Sequence, residues 1–293
     1  MKLATSLASD RCWVVAEIGV NHNGDPALAR ALVLAASRAG ADAVKIQVRT
    51  PELHADPTRM RESAAFAPGA LVSELDHRRA LELSDTWLEE LQNVATGEGL
   101  EFFASCWDPP AVERFATICA PDVWKVASAT LTDHETLRAI AGQRGSVIMS
   151  TGMSPWPVID AAVERFAGRT VDEDLVLLHT CSEYPSENAD VNLRTMEALR
   201  RRYSVPVGYS GHERGASAIA CAAVALGARV IERHLTLDRS MRGSDQGASL
   251  EPQGFAQMVR DVRVVEAAMG DGVKRVTDGE RRVAERLRRR LTS

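Results

Sequence analysis

The sequence predicts a (β/α)₈ barrel, and three observations support that prediction. Eight short runs of apolar and β-branched residues recur along the 293-residue chain, and helical segments separate them. Near-continuous apolar character is typical of parallel strands that are covered on both faces. Eight strands, each followed by a helix, favour a closed barrel over an open doubly wound sheet. The predicted strands span residues 14–18, 43–48, 101–105, 123–126, 147–151, 175–179, 207–210 and 230–234.

The segments between these strands carry helix signals, and the first shows them best. Asp25 is a favourable N-cap, Pro26 suits the first helical position, and Gly40 ends the segment. The other segments predicted as helices span residues 81–98, 111–118, 135–141, 157–167, 193–202 and 215–226.

One connection is much longer than the others. Residues 49–80 join the second and third strands, and a βα loop of that length lies on the catalytic face, where we expect it to act as a lid. Two C-terminal helices, 254–270 and 279–292, are predicted outside the eightfold pattern. We therefore expect a single barrel domain over residues 1–275 and a C-terminal helical tail over residues 276–293.

The composition excludes several classes of function. No apolar run reaches the 18 residues of a membrane span, and Asp10 and Arg11 interrupt the start before a signal-peptide core can form. Five scattered cysteines without a C-x-x-C pair argue against a disulfide framework or structural zinc, and for a reducing compartment such as the cytoplasm. A net charge of −5 gives no reason to expect nucleic acid or an anionic membrane as a partner.

In this fold the active site forms where the barrel strands end. Only four of the 35 basic residues are lysines, and two of them, Lys45 and Lys125, lie in predicted strands. A lysine that points into a barrel mouth is costly unless an anion or carbonyl meets it, and an internal ion pair with Glu17 is the structural alternative. Together with nearby serines the two lysines would surround a phosphate or a carboxylate. The polar residues at the strand ends are Glu17, Lys45, Gln47, Ser105, Lys125, Ser128, Ser150, His179, Ser182, Tyr184, Ser210, His212 and His234.

His212 and His234 end the last two strands, which are neighbours in the predicted barrel. Because neighbouring strands lie about 4.8 Å apart, two imidazoles there can share one divalent ion. Two histidines with one carboxylate leave open positions for substrate and water. His179 is a rival third ligand, or a supporting residue. Asp245, in the loop after the last strand, is either a ligand of the metal or its water, or an ordinary turn residue.

These residues lie in motifs that resemble the N-acetylneuraminate (sialic acid) synthase family. Members of that family condense phosphoenolpyruvate with an aldehyde sugar to give a 2-keto-3-deoxy sugar acid. The motifs are taken jointly, because no single one is specific. The matching stretches are AEIGVNHNGD (16–25), GADAVKIQ (40–47), WKVAS (124–128), STGMS (150–154), SEYP (182–185), DVNL (190–193), VGYSGH (207–212), GARVIERHLTLDR (227–239) and ASLEP (248–252).

The resemblance implies a role for each site residue. His212 and His234 would hold a divalent metal, Mn²⁺ or Mg²⁺, that acts as a Lewis acid on the aldehyde. Catalytic roles fall to Glu17, Lys125 and Asp245, the two carboxylates lying near the reacting carbons. The residues expected to bind the substrates, phosphoenolpyruvate and a sugar-like aldehyde, are Lys45, Gln47, Ser105, Ser128, Thr130, Ser150, Tyr184 and Ser210. The resemblance also implies a homodimer.

Two departures from the family pattern bear on the acceptor. Thr130 stands where the family usually has a glutamate that faces the sugar. The chain also ends near where the family's C-terminal antifreeze-like domain would begin, so we expect an acceptor other than N-acetylmannosamine. Two alternatives remain open: a metal-independent Schiff-base aldolase that uses Lys125, and a non-catalytic barrel that binds a sugar or a partner protein.

Overall fold

The structure is a computed structural model and describes residues 1–9, 11–168, 175–215 and 217–288. Eight parallel strands close into a barrel, as predicted from the sequence, and a two-stranded hairpin lies outside it. The strands in chain order are β1 (Trp13–Gly19), β2 (Ala43–Val48), β3 (Met60–Glu62), β4 (Leu71–Ser73), β5 (Glu101–Cys106), β6 (Val123–Val126), β7 (Ser146–Ser150), β8 (Leu175–Thr180), β9 (Val207–Gly211) and β10 (Val230–His234). Around the barrel each strand pairs with the next in the order β1, β2, β5, β6, β7, β8, β9 and β10, and β10 pairs with β1.

Helices surround the barrel, and several begin at the capping residues that the sequence indicates. Asp25, for example, accepts the backbone N–H of Ala27 at 2.8 Å. The helices are α1 (Leu3–Leu7), α2 (Pro26–Arg38), α3 (Pro51–His54), α4 (Glu74–Leu81), α5 (Asp85–Gly97), α6 (Pro109–Cys119), α7 (His134–Ala141), α8 (Trp156–Glu164), α9 (Thr195–Tyr203), α10 (Ala218–Ala225), α11 (Pro252–Met269) and α12 (Asp278–Leu287). Of these described helices, none has the length and apolar character needed to cross a bilayer.

The long connection after β2 is more ordered than a loop. It contains α3, the β3–β4 hairpin and α4, so α4 lies in the segment predicted as a loop. The predicted helix 81–98 corresponds to α5 and begins later than predicted, because Glu82 has extended backbone and its Oε1 lies 3.1 Å from Arg49 Nε. The chain re-enters a helix at α5, where Ser84 accepts the N–H of Trp87.

The two C-terminal helices differ in their packing. We expected α11 outside the eightfold pattern, but it packs against α10 and α2 and so completes the outer ring as its eighth helix. By contrast, α12 buries none of its residues. The predicted helix 279–292 runs past this segment, and its residues 289–292 lie outside the described part of the chain. The predicted helix 215–226 is observed as α10, and residue 216 also lies outside the described ranges.

The barrel interior is apolar toward the N-terminal ends of the strands and polar toward their C-terminal ends. Side chains on a strand alternate between faces, so positions two apart share the interior. Leu3 of α1 covers the N-terminal end by packing on an apolar layer that includes Trp13, Phe103 and Val123. Val15 of β1 belongs to the same layer, and two residues beyond Val15, Phe103 and Val123 are Glu17, Ser105 and Lys125, all buried. The two-residue period therefore places the polar side chains in one layer at the C-terminal end.

Asp42 fastens the point where β1 and β2 meet α11. Its Oδ2 accepts the N–H of Val14 at 3.0 Å and lies 2.8 Å from Arg263, and its Oδ1 lies 3.0 Å from Arg11. We expect Asp42→Asn to lower the free energy of unfolding by about 1–3 kcal/mol, because it leaves buried donors poorly matched. Urea denaturation measures the loss. The control, Glu197→Gln, removes a carboxylate from exposed pairs on α9 and should cost less than about 0.5 kcal/mol; equal losses would contradict the assignment.

Candidate active site

A cavity of about 340 Å³ opens at the C-terminal ends of the barrel strands. All of the residues predicted to act in catalysis, substrate binding or metal binding line it except Thr130, and His179, the rival metal ligand, does not line it. The structure does not bring Thr130 to the cavity, because its side chain is buried in a 3₁₀ turn and its hydroxyl donates to Ala127 O at 3.1 Å. The lining residues predicted from the sequence are Glu17, Lys45, Gln47, Ser105, Lys125, Ser128, Ser150, Tyr184, Ser210, His212, His234 and Asp245.

Lys45 is held by two carboxylates and a hydroxyl. Its Nζ lies 2.6 Å from Glu17 Oε2 and 3.6 Å from Glu232 Oε1, and it donates to Ser105 Oγ at 2.9 Å. The ion pair with Glu17, which we kept as the structural alternative, is therefore present. Burial opposes the charge on Lys45, but the two carboxylates outweigh burial and raise the pKa of the ammonium. Lys45 is firmly cationic.

Lys125 is more weakly paired. Its Nζ donates to Ser150 Oγ at 2.7 Å and to Val126 O at 3.1 Å, while Glu232 Oε1 is 3.9 Å away. Burial lowers the pKa of Lys125 to about 8; Lys45 adds to that effect, and Glu232 opposes it. Two lysines in one cluster thus differ in how readily they release a proton.

Glu232 is a central residue of the site that our sequence analysis missed. It lies within 4 Å of both lysine ammonium groups, and its pKa lies below the usual value although burial alone would raise it, because Lys125 and Lys45 favour the anion. Its Oε2 has no hydrogen-bond partner. Strand periodicity was the available signal, since Glu232 lies two residues before His234 on β10 and must share its inward face.

The two predicted metal-binding histidines are neighbours. The His212 and His234 rings lie 5.4 Å apart, and His212 Nδ1 is 2.6 Å from Cys181 O, which makes Nδ1 the protonated nitrogen. Burial and then His234 lower the pKa of His212 to about 3, so it is neutral. His234 Nδ1 is buried without a hydrogen-bond partner and lies 3.7 Å from Asp245 Oδ2.

Neutral imidazoles with free lone pairs are the ligands that divalent transition metals accept. In the described ranges no group of three or more His, Cys, Asp or Glu side chains is arranged to hold a metal. The pair would therefore need oxygen ligands from water or substrate. His179, the rival ligand, instead places Nε2 2.5 Å from Val191 O and packs near the Tyr209 ring. That geometry fits the supporting role.

A buried ion pair lies directly behind the imidazoles. Glu213 follows His212 and Arg233 precedes His234, and the side chains of Glu213 and Arg233 pair with no exposure to solvent. Arg233 also donates to the carbonyls of Glu213 and Gly215, and Tyr209 donates its hydroxyl to Glu213 at 2.7 Å. This network ties the ends of β9 and β10 together and fixes the separation of the two rings.

Tyr184 covers the imidazole pair on the open side. Its ring stacks on His212 at a centroid distance of 4.0 Å and meets the His234 ring edge-on at 5.6 Å. The side chain remains about half exposed at the cavity mouth. An incoming ligand would therefore meet the Tyr184 ring before it reaches the imidazoles.

Fold and site together define a (β/α)₈ barrel with a buried lysine–carboxylate cluster beside two buried imidazoles. Residues 32–274 match the model of the NeuB family, and the chain belongs to that family. It is 34% identical to the N,N'-diacetyllegionaminic acid synthase of Legionella pneumophila, over 97% of this chain and 81% of that protein. It is 35% identical to the N-acetylneuraminate-9-phosphate synthase of Homo sapiens, over 94% of this chain and 76% of the relative.

A solved structure supports the same conclusion. The crystal structure of N-acetylneuraminic acid (sialic acid) synthetase from Leptospira borgpetersenii, in complex with citrate, superposes with a TM-score of 0.81 at 28% sequence identity. The alignment covers 96% of this chain and 94% of that one. The family resemblance seen in the motifs is thus confirmed.

The unequal environments of the lysines give a test by titration. Because the chain has four lysines, labelling with [ε-¹³C]lysine gives a spectrum that can be assigned residue by residue. We expect one signal to titrate near pH 8 and to disappear in Lys125→Arg, and no signal from Lys45 to titrate there. Below pH 8 Lys125 is then the ammonium ion. Titration of the Lys125 signal above pH 10 would contradict the weak pairing.

Proposed function

We propose that this protein condenses phosphoenolpyruvate with a sugar or sugar-like aldehyde, giving a 2-keto-3-deoxy sugar acid and inorganic phosphate. The observation that carries the proposal is the convergence of two buried lysines and two buried imidazoles on one cavity. The names of the relatives, which are synthases of sugar acids, support the same chemistry.

Phosphoenolpyruvate carries a phosphate and a carboxylate, and the inner cavity offers fixed cations and hydroxyls to both. Lys125 is the weakly paired cation, and Ser150 already contacts it at 2.7 Å. Ser128 accepts the N–H of Gly152 at 3.1 Å, so its hydroxyl is held at the start of the loop after β7. Fixed donors of this kind orient the anion and stabilise charge that develops during reaction.

His212 and His234 would hold Mn²⁺ or Mg²⁺, since His212 is neutral and Nδ1 of His234 has no hydrogen-bond partner. When bound, the ion would supply Lewis-acid polarisation of the aldehyde oxygen. The rigid Arg233–Glu213 pair behind the rings would keep the two ligands at a constant separation. Tyr184 would limit access of water from the open side.

Carbon–carbon bond formation joins C3 of the enol to the aldehyde carbon and leaves positive charge at C2. Water then adds at C2, and phosphate leaves by cleavage of the C–O bond. Glu17, whose Oε2 lies 2.6 Å from Lys45 Nζ, and Asp245, whose Oδ1 accepts the Ser244 hydroxyl at 2.6 Å, are the groups that would orient this water and take its proton. General base catalysis of that kind contributes about 10²–10⁴ in rate.

The test mixes the protein, Mn²⁺ and phosphoenolpyruvate with a panel of aldoses and hexosamines and measures phosphate release. We expect release that depends on the acceptor and falls at least about 10²-fold in His212→Ala, His234→Ala and Lys125→Met. Matched controls are His134→Ala on the surface of α7 and Lys274→Met, whose side chain is 86% exposed; both should retain activity. Absence of release with every acceptor would favour the non-catalytic barrel.

The lowered pKa of Lys125, about 8, favours one competing function, a Schiff-base aldolase. Borohydride added with substrate would then trap a covalent adduct on Lys125, and a chelator would leave the activity intact. We expect no adduct by mass spectrometry and loss of activity with the chelator. An adduct absent from Lys125→Arg would establish the aldolase instead.

The proposal also includes a homodimer, which rests on the family resemblance, and a cytoplasmic location, which rests on the scattered cysteines. Gel filtration with light scattering tests the assembly, and a strict monomer at working concentration would refute it.

A further inference from the structure

The cavity has an outer wall that the chemistry above does not use. Three guanidinium groups line it, from Arg49, Arg61 and Arg78, together with His77 and Trp107. Arg49 follows β2, Arg61 lies on the β3–β4 hairpin, and Arg78 lies on α4. This arginine wall is therefore built by the connection between β2 and β5, whereas the lysine cluster belongs to the barrel strands.

The arginines of the wall differ in how well their charge is compensated. Arg49 stacks over the Trp107 ring at 4.6 Å and pairs with Glu82 at 3.1 Å, so it is held in place. Arg78 approaches Glu74 only to 3.7 Å, and its Nε is buried without a hydrogen-bond partner. Arg61 has no ion pair to any carboxylate in the described ranges, and its Nε donates only to the neighbouring Glu62 O at 3.4 Å.

The surroundings of the wall are positive. His77 donates or accepts a hydrogen bond with Ser63 at 2.7 Å, and burial followed by Arg61, Arg78 and Arg49 lowers the pKa of His77 to about 4. A second cavity of about 240 Å³ shares Arg61 and His77 with the main one, so these two residues of the wall line both cavities. An uncompensated guanidinium facing such a space is a site for an anion.

The carboxylates of the inner cluster do not neutralise the arginine wall, because Glu17 and Glu232 pair with the two lysines. In the proposed function those lysines bind phosphoenolpyruvate. The wall is contributed by different elements, those of the connection between β2 and β5. We therefore expect a second, anionic group to bind there.

We propose that the arginine wall binds an anionic substituent of the acceptor, a phosphate ester or a carboxylate carried away from its aldehyde end. The inference deepens the proposed function and rests on it. Arg61 and Arg78 provide the charge, while Arg49 on Trp107 shapes the base of the wall. The acceptor is then an aldose phosphate or a uronate-type sugar, and neutral sugars are poor substrates.

The acceptors for the test are matched sets: N-acetylmannosamine with its 6-phosphate, and D-mannose with D-mannose 6-phosphate and D-mannuronate. With Mn²⁺ and phosphoenolpyruvate, we expect the anionic member of a set to have at least about tenfold higher kcat/KM, because charge-assisted bidentate hydrogen bonds discriminate by that order. The phosphate and carboxylate arms show which anion the wall prefers. Equal rates within each set would overturn the inference while leaving the proposed function intact.

Variants of the wall localise the effect. Arg61→Gln should raise the KM of the anionic acceptor about tenfold or more, and leave the KM of phosphoenolpyruvate and the rate with neutral sugars unchanged. Arg61→Lys should restore part of the loss. The control is Arg59→Gln, an exposed arginine two residues away that does not line the cavity. An equal effect of Arg59→Gln and Arg61→Gln, or a rise in the KM of phosphoenolpyruvate instead, would refute the assignment.

A binding measurement separates this inference from the proposed function. Calorimetric titration of D-mannose 6-phosphate into the protein should show binding that weakens in Arg61→Gln but not in Arg59→Gln, and D-mannose should not bind measurably. This result would support anion binding by the arginine wall even if no acceptor led to phosphate release. Binding that is the same in Arg61→Gln as in the unmodified protein would contradict it.

Discussion

Charge balance within the barrel is the constraint on which the C-terminal end of the barrel depends. Burying an isolated ammonium is prohibitively costly, so Lys45 and Lys125 need carboxylates from neighbouring strands. Glu232 serves both lysines at 3.6 and 3.9 Å, whereas Glu17 contacts Lys45 alone at 2.6 Å. One shared and one unshared partner make the two lysines unequal, which is why the pKa of one rises and that of the other falls.

The site divides into a rigid half and an adaptable half. The lysines and imidazoles lie on strands or at strand ends, and the Arg233–Glu213 pair locks the last two strands from behind. Residues held in this way keep their geometry whether or not a ligand is present, as electrostatic catalysis requires. The arginine wall lies instead on a hairpin and a short helix between β2 and β5, where the sequence can vary without disturbing the barrel.

The sequence predicts most of this arrangement where the signal is local, and misses it where tertiary contacts decide. Strand periodicity predicts the barrel and brings its polar residues to one end. It could not show that Glu82 would have extended backbone and meet Arg49, so that the predicted helix 81–98 begins only at Asp85, as α5. Thr130 has a polar side chain after a strand, yet the 3₁₀ turn uses its hydroxyl, and turn geometry of that kind is not visible in composition. Glu232 shows the opposite error, since the periodicity that predicts His234 applied to it equally.

The ion pairs of the two lysines also affect how strongly each lysine can bind an anion. A phosphate that enters the inner cavity competes with Glu17 and Glu232 for the same ammonium groups, so its net gain is smaller than two free cations would give. Competition is strongest at Lys45, which has two carboxylates and the Ser105 hydroxyl. Lys125 has a hydroxyl and a carbonyl as its close partners, and exchanging them for an anion costs less. The anion should therefore bind mainly to Lys125, while Lys45 keeps its ion pair with Glu17.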